Sequence, residues 1–239
     1  MSRKISYTIF NPRNIFYPNE IDLKNQCYEA WFKLWDSVYT EKKSNFTLNS
    51  DEFIRQDLVA AILVDGSVAA LHMYSLYDLQ ALADLNTHYF EFFPESYLAE
   101  LKKRNVRTAM SMEFLTVVPH YRKAFMNGIS MGKVIGNLGV EVFATLGLDA
   151  IIAPARNDFK VNDMAYDVGF DCIQKATMQR GFECDLIACF KGRQKASEDP
   201  INRAVVDQLW NEKIVQPSAQ WLLEKSSPNV ISIVHRKAA

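Results

Sequence analysis

The chain has 239 residues, of which 49% are hydrophobic and 23% are charged, so it can bury a sizeable core and is not a disordered chain. Its formal net charge of -1 gives no whole-chain reason to expect nucleic acid or an anionic membrane as a partner, and leaves only a local patch open. The four cysteines form no C-x-x-C pair and match no zinc-site spacing, which predicts reduced thiols, no metal site and a cytoplasmic location. The first ten residues lack a signal-peptide pattern, and the longest apolar run, Leu58 to Val64, is too short for a transmembrane segment.

The first quarter of the chain predicts a strand followed by helices. Polar and apolar residues alternate from Ile5 to Phe10, which is typical of a strand. Helical spacing of apolar residues predicts a helix from Leu23 to Tyr39, with Asp22 as its cap. Trp31 and Trp35 share one face of this helix, where they pack in a core or line a pocket. A second, short helix is expected to begin at Ser50.

A hairpin and another helix follow. The segments Leu58 to Val64 and Ser67 to Tyr74 flank the tight-turn dipeptide Asp65-Gly66, which predicts a β-hairpin. Within the second strand, His72 is expected to be a hydrogen-bonded core residue. Pro94 is expected to open a helix that runs to about Lys103.

The central segment predicts a strand, a helix and a second strand. The first strand runs from Met110 to Val118 and ends at Pro119. The helix extends from about Asn127 to Leu146, where Gly147 stops it, and the next strand covers Asp149 to Ala153. This order predicts a right-handed crossover between parallel strands, whereas the hairpins predict antiparallel pairs.

The remaining predicted elements are helices over Asp158–Val168 and Pro200–Lys225 and strands over Phe170–Thr177, Asp185–Lys191 and Val230–Val234. The fold class is therefore α/β, with a central mixed α+β sheet flanked by helices. We predict one domain over residues 1–191 and a helical C-terminal extension over residues 192–239 that packs on the same domain.

The central helix has an unusual stripe of glycines. Gly128, Gly132 and Gly136 are spaced by four and share one face, at a cost of roughly 1 kcal/mol each against alanine. Close approach of a sheet, a helix or a ligand would compensate for this cost. The helix start also follows two cations, Arg122 and Lys123, which together with free N–H groups favour an anion site such as one for pyrophosphate. A solvent-exposed basic loop is the alternative.

The segment Phe114 to Lys123 resembles the strand-to-loop motif of the GNAT (Gcn5-related N-acetyltransferase) superfamily, an apolar strand followed by V-x-P-x-Y-R. The segments Gly147–Ala153 and Ala155–Phe170 are similar to the next strand and helix of that family, so the resemblance covers about Glu113 to Phe170. It implies a splayed strand that pairs with a pantetheine arm, and a loop and helix start that hold a pyrophosphate. The cofactor-binding residues implied are Leu115, Val117, Val118, Arg122, Lys123, Asn127, Gly128, Ile129, Ser130 and Asn157.

The sequence departs from the family pattern at two places. Five residues separate Arg122 from Gly128, so the loop is longer than usual and leaves room for a longer acyl donor or an acyl carrier protein. The family tyrosine usually lies four residues before the glycine of its GF pair, a position that Ala165 holds here, and Tyr166 lies one place later. That shift turns the tyrosine by about 100° around the helix.

Glu113 is the predicted catalytic base, because it lies in an otherwise apolar strand beside the donor site. A salt-bridged or edge-exposed glutamate is the alternative. Tyr166 is the predicted acid for the departing thiolate, against an ordinary half-buried tyrosine. The resemblance implies that the N–H of Val117 or Val118 polarises the thioester carbonyl.

The resemblance implies an N-acyltransferase that moves an acyl group from acyl-CoA to an amine of a small molecule or a protein. Two alternatives stay open. One is a long-chain synthase of the N-acyl amino acid or acyl-homoserine lactone type that takes acyl-ACP, its donor carried on acyl carrier protein. The other is a module that binds an acyl thioester or a protein without turnover. The sequence also leaves a homodimer open.

Overall fold

The computed structural model describes residues 3–42, 44, 46–122 and 128–225. Its α-helices are α1 (Ile21–Glu41), α2 (Asp51–Ile54), α3 (Leu82–Leu85), α4 (Glu95–Lys103), α5 (Met131–Leu146), α6 (Val161–Asp167), α7 (Pro200–Asn211) and α8 (Pro217–Lys225). Its strands are β1 (Ile5–Phe10), β2 (Leu58–Val64), β3 (Ser67–Tyr74), β4 (Leu76–Asp78), β5 (Thr108–Ser111), β6 (Glu113–Val117), β7 (Ala150–Arg156), β8 (Asp171–Gln179), β9 (Phe182–Phe190) and β10 (Ile214–Val215).

The strands form two five-stranded mixed sheets, in the orders β10-β1-β2-β3-β6 and β4-β5-β7-β9-β8. The chain passes from one sheet to the other four times: between β6 and β7, between β9 and β10, and twice at one junction, from β3 to β4 and from β5 to β6. At this junction the N–H of Ser111 bonds the carbonyl of Ser75 at 2.8 Å, and the N–H of Met112 bonds the carbonyl of Ile152 at 3.0 Å. The two sheets are therefore halves of one surface that share an edge and then diverge.

Helices cover both faces of the first sheet. Helix α1 packs on one face through Trp31, which is fully buried among aromatic residues such as Phe53 and Phe114. Helix α5 packs on the other face, where Val134 and Leu138 are fully buried. The parallel pairing of β5 with β7 around α5 confirms the predicted crossover. The predicted mixed sheet flanked by helices is confirmed as well.

The β2–β3 hairpin has the predicted bounds, and its turn residues Asp65 and Gly66 both have positive φ, as a tight primed turn requires. Gly147 ends α5 in the left-handed conformation that the sequence predicts. Helix α5 begins four residues later than expected, with Ser130 as its cap. Asp22 lies in the first turn of α1 and does not cap it, because the helix begins earlier, after Glu20.

The predicted single strand over Met110–Val118 is wrong. Met112 separates β5 from β6, and Phe114 has a φ of 55°, so the chain bends and changes sheet at this point. This break is the structural origin of the divergence between the two sheets.

The predicted helix over Pro200–Lys225 is also wrong in its middle. Pro217 begins a new helix, and the residues before it form β10, which pairs parallel to β1. The C-terminal segment thus contributes an edge strand to the first sheet in addition to its helices. The predicted strand over Val230–Val234 lies outside the described residues.

Candidate functional site

A cleft opens where β6 and β7 diverge. Within the described residues, strand β6 is the edge of its sheet and pairs with β3 alone, whereas β7 lies in the other sheet between β5 and β9. The space between them is a cavity of about 550 Å³. Because β6 has no second neighbour in its sheet, half of its backbone N–H and C=O groups can reach a molecule in the cleft.

The cavity has walls from both layers of helices. On one side lie residues from the first half of α5, among them Gly132 and Gly136. On the other side lie residues from the second half of α1, among them Trp35 and Glu41. The cavity therefore runs across the divergence from the α5 layer to the α1 layer, which gives two molecules access to the same strand edge.

The exposed backbone of β6 includes the N–H of Val117. The N–H of Val118 donates to the carbonyl of Ala69 on β3 at 3.0 Å. Since hydrogen bonds alternate along an antiparallel pair, the N–H of Val117, which lies opposite Ala70, points away from β3 and toward the cleft. The N–H of Val118 is therefore not available to a thioester carbonyl oxygen, because it is already bonded to Ala69. The N–H of Val117 is available to a ligand in the cleft.

The start of α5 lies at the mouth of the cavity. Ser130 caps the helix by accepting the N–H of Lys133 at its Oγ, and its own N–H donates to Asn202 Oδ1 at 2.9 Å. The other N–H groups of the first turn, those of Met131 and Gly132, have no acceptor within the helix, and the helix dipole favours an anion there. Arg122 also lines the cavity, and its Nε donates to the carbonyl of Val117 at 3.0 Å.

The other residues predicted for the anion site differ in their positions and environments. Lys123 and Asn127 lie outside the described residues. Gly128 has a φ of 98° and open space beside it, so it is a turn residue that a side chain would strain. The side chain of Ile129 is a buried core residue, so only its backbone is available to a ligand.

The glycines of α5 have two distinct environments. Gly132 and Gly136 line the cavity, and a Cβ at Gly136 would meet no atom within 4 Å. Gly139 faces the sheet, and a Cβ there would lie 2.7 Å from Met112 Cε and 2.8 Å from the Tyr74 hydroxyl oxygen. Two of the reasons that the sequence offers for glycine in this helix therefore occur. Gly136 leaves open space for a ligand, and Gly139 allows the close approach of the sheet.

Glu113 is the first residue of β6, directly after the break at Met112, and its carboxylate belongs to a network of buried charges. Arg55 donates to both of its carboxylate oxygens, and Ser111 Oγ donates to Oε1 at 2.7 Å. Arg55 also binds Glu52 at 2.9 Å, and Arg180 lies 3.5 Å from the same Glu52 oxygen. Burial alone would lower the pKa of Arg55, but the two carboxylates outweigh it and raise that pKa.

Glu113 lines a small pocket of about 90 Å³ next to the large cavity. The two spaces share Trp35, Phe114 and Arg156 as walls. The rest of the small pocket is mostly aromatic, with Tyr39, Tyr89, Phe92, Phe93 and Phe182. Glu113 is thus the salt-bridged glutamate of the alternative interpretation, and it also faces a space that adjoins the β6 edge.

Tyr166 is not placed for the predicted acid role. Its hydroxyl donates to Asp185 Oδ2 at 2.6 Å, away from the cavity that the preceding Ala165 lines. Burial and this hydrogen bond raise the pKa of Tyr166, which makes it a weaker proton donor. Asn157 is likewise engaged, because it exchanges hydrogen bonds with Asp185 and Glu183. The network around Asp185 therefore holds both side chains, and neither of them lines the cavity.

The structure adds His72, which the sequence predicted to be a hydrogen-bonded core residue. The residue is buried, with 6% of its surface exposed, and it lines the cavity. Its Nδ1 has no hydrogen-bond partner among the residues that the structure describes. Burial lowers the pKa of His72 to about 3, so the ring is neutral at physiological pH. No sequence signal distinguishes such a histidine from an ordinary strand residue.

The described residues contain no group of three or more His, Cys, Asp or Glu side chains that could hold a metal ion.

Burial raises the pKa of Cys27 and Cys184 to about 12 and that of Cys189 to about 11, as expected of small core residues. Within the same ranges, no helix has the length and apolar character needed to cross a membrane.

No protein-family profile matches the sequence, and no curated protein matches it significantly. Solved structures do match. A CoA-dependent acyl-homoserine lactone synthase, BjaI, with SAM and isopentyl-CoA, is similar at 8% identity and a TM-score of 0.59, over 93% of this chain and 99% of that one. A mosquito arylalkylamine N-acetyltransferase-like protein is similar at 14% identity and a TM-score of 0.54, over 78% of this chain and 100% of that one. FeeM, an N-acyl amino acid synthase from uncultured soil microbes, is similar at 11% identity and a TM-score of 0.50, over 79% of this chain and 89% of that one. The chain therefore has the GNAT-like acyltransferase fold.

Proposed function

We propose that this chain is an N-acyltransferase that binds an acyl thioester in the cleft between β6 and β7 and transfers the acyl group to an amine. The observation that carries the proposal is the open edge of β6, which faces a cavity that begins at the start of α5 and reaches α1. The similarity to acyltransferases in fold supports it.

In this proposal the backbone does most of the binding. The N–H groups at the start of α5 and the Arg122 guanidinium hold the diphosphate of CoA. The pantetheine arm lies along β6, starting beside Val117 and running toward Glu113, and an outward-facing N–H of this strand donates to the thioester carbonyl oxygen, where negative charge develops as the amine attacks. Such a backbone donor needs no side-chain ordering at the moment of reaction.

The amine would approach from the α1 side. Its nitrogen attacks the thioester carbon, the C–S bond breaks, and the CoA thiolate leaves. Glu113 is the proposed acceptor of the amine proton, because its carboxylate faces the small pocket that adjoins the cleft. Arg55 and Ser111 fix the position of this carboxylate. With Tyr166 directed elsewhere, water is the remaining proton source for the thiolate.

The apolar lining of the cavity favours an acyl group longer than acetyl. Beyond the β6 edge the walls include Met112, Ala153, Phe170 and Ile187, all of them buried. An acetyl group would leave most of this apolar surface without contacts. This supports the long-chain alternative, in which the donor is acyl-CoA or acyl-ACP and the acceptor is a small amine.

The proposal is tested with thioesters and a blocked cavity. We expect hexanoyl-CoA to raise the Tm more than acetyl-CoA or free CoA, and to release free thiol when a panel of primary amines is added. Gly136→Leu should fill the open space beside α5 and lower hexanoyl transfer by at least about tenfold, which corresponds to about 1.4 kcal/mol. Ala144→Leu adds the same side chain at an exposed site of the same helix and should leave transfer unchanged.

Two results would count against the proposal. If neither the CoA compounds nor acyl-ACP shift the Tm, the cleft does not bind a thioester and the proposal is wrong. A Tm shift without thiol release, for every amine tried, would leave the non-catalytic binding module as the better description.

A further inference from the structure

The two ends of the cavity differ in which charge lacks a partner. At the α5 end, Arg122 lines the wall and forms no ion pair with the described residues, whereas Lys133 lies 3.6 Å from Asp167. At the α1 end, the charged residues of the lining are Glu41 and Arg156. The α5 end therefore offers a free cation to the proposed diphosphate, and the α1 end, from which the amine is proposed to approach, has a different charge pattern.

Arg156 is already paired with a carboxylate. Its Nε and Nη2 donate to the two carboxylate oxygens of Asp158 at 3.0 and 2.7 Å. Its guanidinium carbon also lies 3.9 Å from the centroid of the Phe182 ring, a contact that holds the plane of the group. Lys42 lies 3.8 Å from the same Asp158 carboxylate. A carboxylate on a ligand at this end would have to compete with Asp158 for both cations.

Glu41 is the unpaired charge at the α1 end. It is the last residue of α1, it is exposed, and it forms no ion pair with any residue that the structure describes. Primary amines are ammonium ions at neutral pH, as the lysine side chain is. A free carboxylate beside the opening raises the local concentration of such a cation and repels an anion. The charges at this end therefore favour an amine that carries no carboxylate.

The other side chains at the α1 end are mostly apolar. Leu34 and Val38 lie on the face of α1 that also carries Glu41, because residues three and four apart in a helix share one face. Phe159, from the connection between β7 and α6, lines the cavity as well, yet 61% of its surface is exposed. We call these four residues the acceptor mouth. An exposed aromatic ring at the rim of a cavity is stabilised when an apolar group covers it.

We infer that the acceptor is a monoamine with an apolar body and no carboxylate, and that it enters through the acceptor mouth. This inference rests on the proposed function and deepens it by naming the class of acceptor. The apolar body packs on Phe159, and Glu41 attracts the ammonium group from solution before Glu113 takes its proton. A second ammonium group on the same molecule finds no second free carboxylate among the described residues of the mouth, so diamines are disfavoured too.

The test uses two matched pairs of amines with hexanoyl-CoA as the donor. Phenylalanine differs from 2-phenylethylamine by a carboxylate, and hexane-1,6-diamine differs from hexylamine by a second ammonium group. We expect kcat/KM for the monoamine of each pair to exceed that of its more highly charged partner by about tenfold or more, because the added charge has no partner in the mouth.

Two variants at exposed positions identify the residues responsible. Phe159→Ala should raise the KM for 2-phenylethylamine by about five- to tenfold and leave the KM for hexanoyl-CoA unchanged. Glu41→Gln should lower kcat/KM for both monoamines by about two- to fivefold at low salt, and should reduce the discrimination against phenylalanine. Met178→Ala and Glu29→Gln are the matched controls, since they alter exposed side chains that do not line the cavity, and both should behave as the wild type.

The results separate the inference from the proposed function. If phenylalanine or the diamine is used as well as its matched monoamine, or if Phe159→Ala keeps the wild-type KM for 2-phenylethylamine, the inference is overturned and the N-acyltransferase activity stands. If none of the four amines releases thiol from bound hexanoyl-CoA, the proposed function itself is contradicted.

Discussion

Glu113 both binds a buried cation, Arg55, and lines the small pocket beside the cleft. The residue is 6% exposed, and its carboxylate accepts hydrogen bonds from Arg55 on one side and faces the small aromatic pocket on the other. Arg55 keeps a second carboxylate, Glu52, as a partner. Neutralising Glu113 therefore leaves the buried guanidinium paired, and the effects on stability and on chemistry can be separated.

We predict that Glu113→Gln lowers kcat by about a hundredfold or more, the usual contribution of a general base. The loss of stability should be smaller than the roughly 3–5 kcal/mol that breaking an isolated buried ion pair costs, because Glu52 remains. Turnover with a primary amine and the Tm shift with hexanoyl-CoA are measured on the same preparation.

Tyr166→Phe serves as the comparison for Glu113→Gln. Since the Tyr166 hydroxyl bonds Asp185 and points away from the cavity, this variant should keep its kcat within about twofold. Its stability should fall by about 1.5–3 kcal/mol, the contribution of a hydrogen bond to a charged group. An unchanged kcat in Glu113→Gln, or a large loss of kcat in Tyr166→Phe, would reverse the assignment of the two residues.

The sequence carries enough information for some residue roles and too little for others. The N–H of Val117 and that of Val118 cannot be told apart without the pairing register, which depends on Ala69 of a distant strand. The direction of Tyr166 depends on Asp185, nineteen residues later. His72 has the same local pattern as a bonded core histidine, and only the three-dimensional structure shows that its Nδ1 has no hydrogen-bond partner among the described residues.

At the level of elements, α5 shows how one helix serves the core and the cavity at once. Its glycines at positions 132 and 136 face the cleft, and the glycine at 139 lets the helix approach Tyr74 and Met112 closely. The same substitution should therefore have opposite effects at two sites that lie less than one turn apart.

We predict that Gly136→Ala raises the free energy of unfolding by about 1 kcal/mol, because helix propensity improves and no atom lies within 4 Å of the new Cβ. Gly139→Ala gains the same propensity but forces a methyl group against Tyr74 and Met112, and overpacking costs about 1–3 kcal/mol. It should therefore be less stable than Gly136→Ala by at least about 1 kcal/mol in urea unfolding. Equal stabilisation by both variants would show that α5 does not approach the sheet at Gly139.

Elements set by local signals were predicted well. The β2–β3 hairpin has the expected bounds because Asp65-Gly66 fixes its turn, and Gly147 fixes the end of α5. The break between β5 and β6 was not predictable, because the positive φ of Phe114 is stabilised by ring contacts with Trp31 and Trp35 on α1. A uniformly apolar segment gives no local sign of such a contact.

At the level of the whole molecule, the order of elements predicted the parallel crossover but not the division into two sheets. That division depends on which strands share an edge, and the C-terminal β10 takes the free edge of β1. Helix α7, from the same segment, packs on α5 and places Asn202 beside the start of that helix. The C-terminal segment therefore belongs to the structure that forms the proposed diphosphate site.

This connection can be tested at Asn202, whose side chain is 1% exposed. Its Oδ1 accepts the N–H of Ser130 at 2.9 Å, and its Nδ2 donates to Asp199 at 2.6 Å. Asn202→Ala leaves a partly buried N–H without an acceptor, which costs about 1–3 kcal/mol, and it frees the cap residue of α5 to move. We expect the Kd for CoA to rise by about tenfold, while Arg203→Ala at an exposed position of the same helix should leave it unchanged. An unaltered Kd in Asn202→Ala, measured by titration calorimetry on protein that remains folded, would mean that the start of α5 does not hold the diphosphate or does not need α7 to do so.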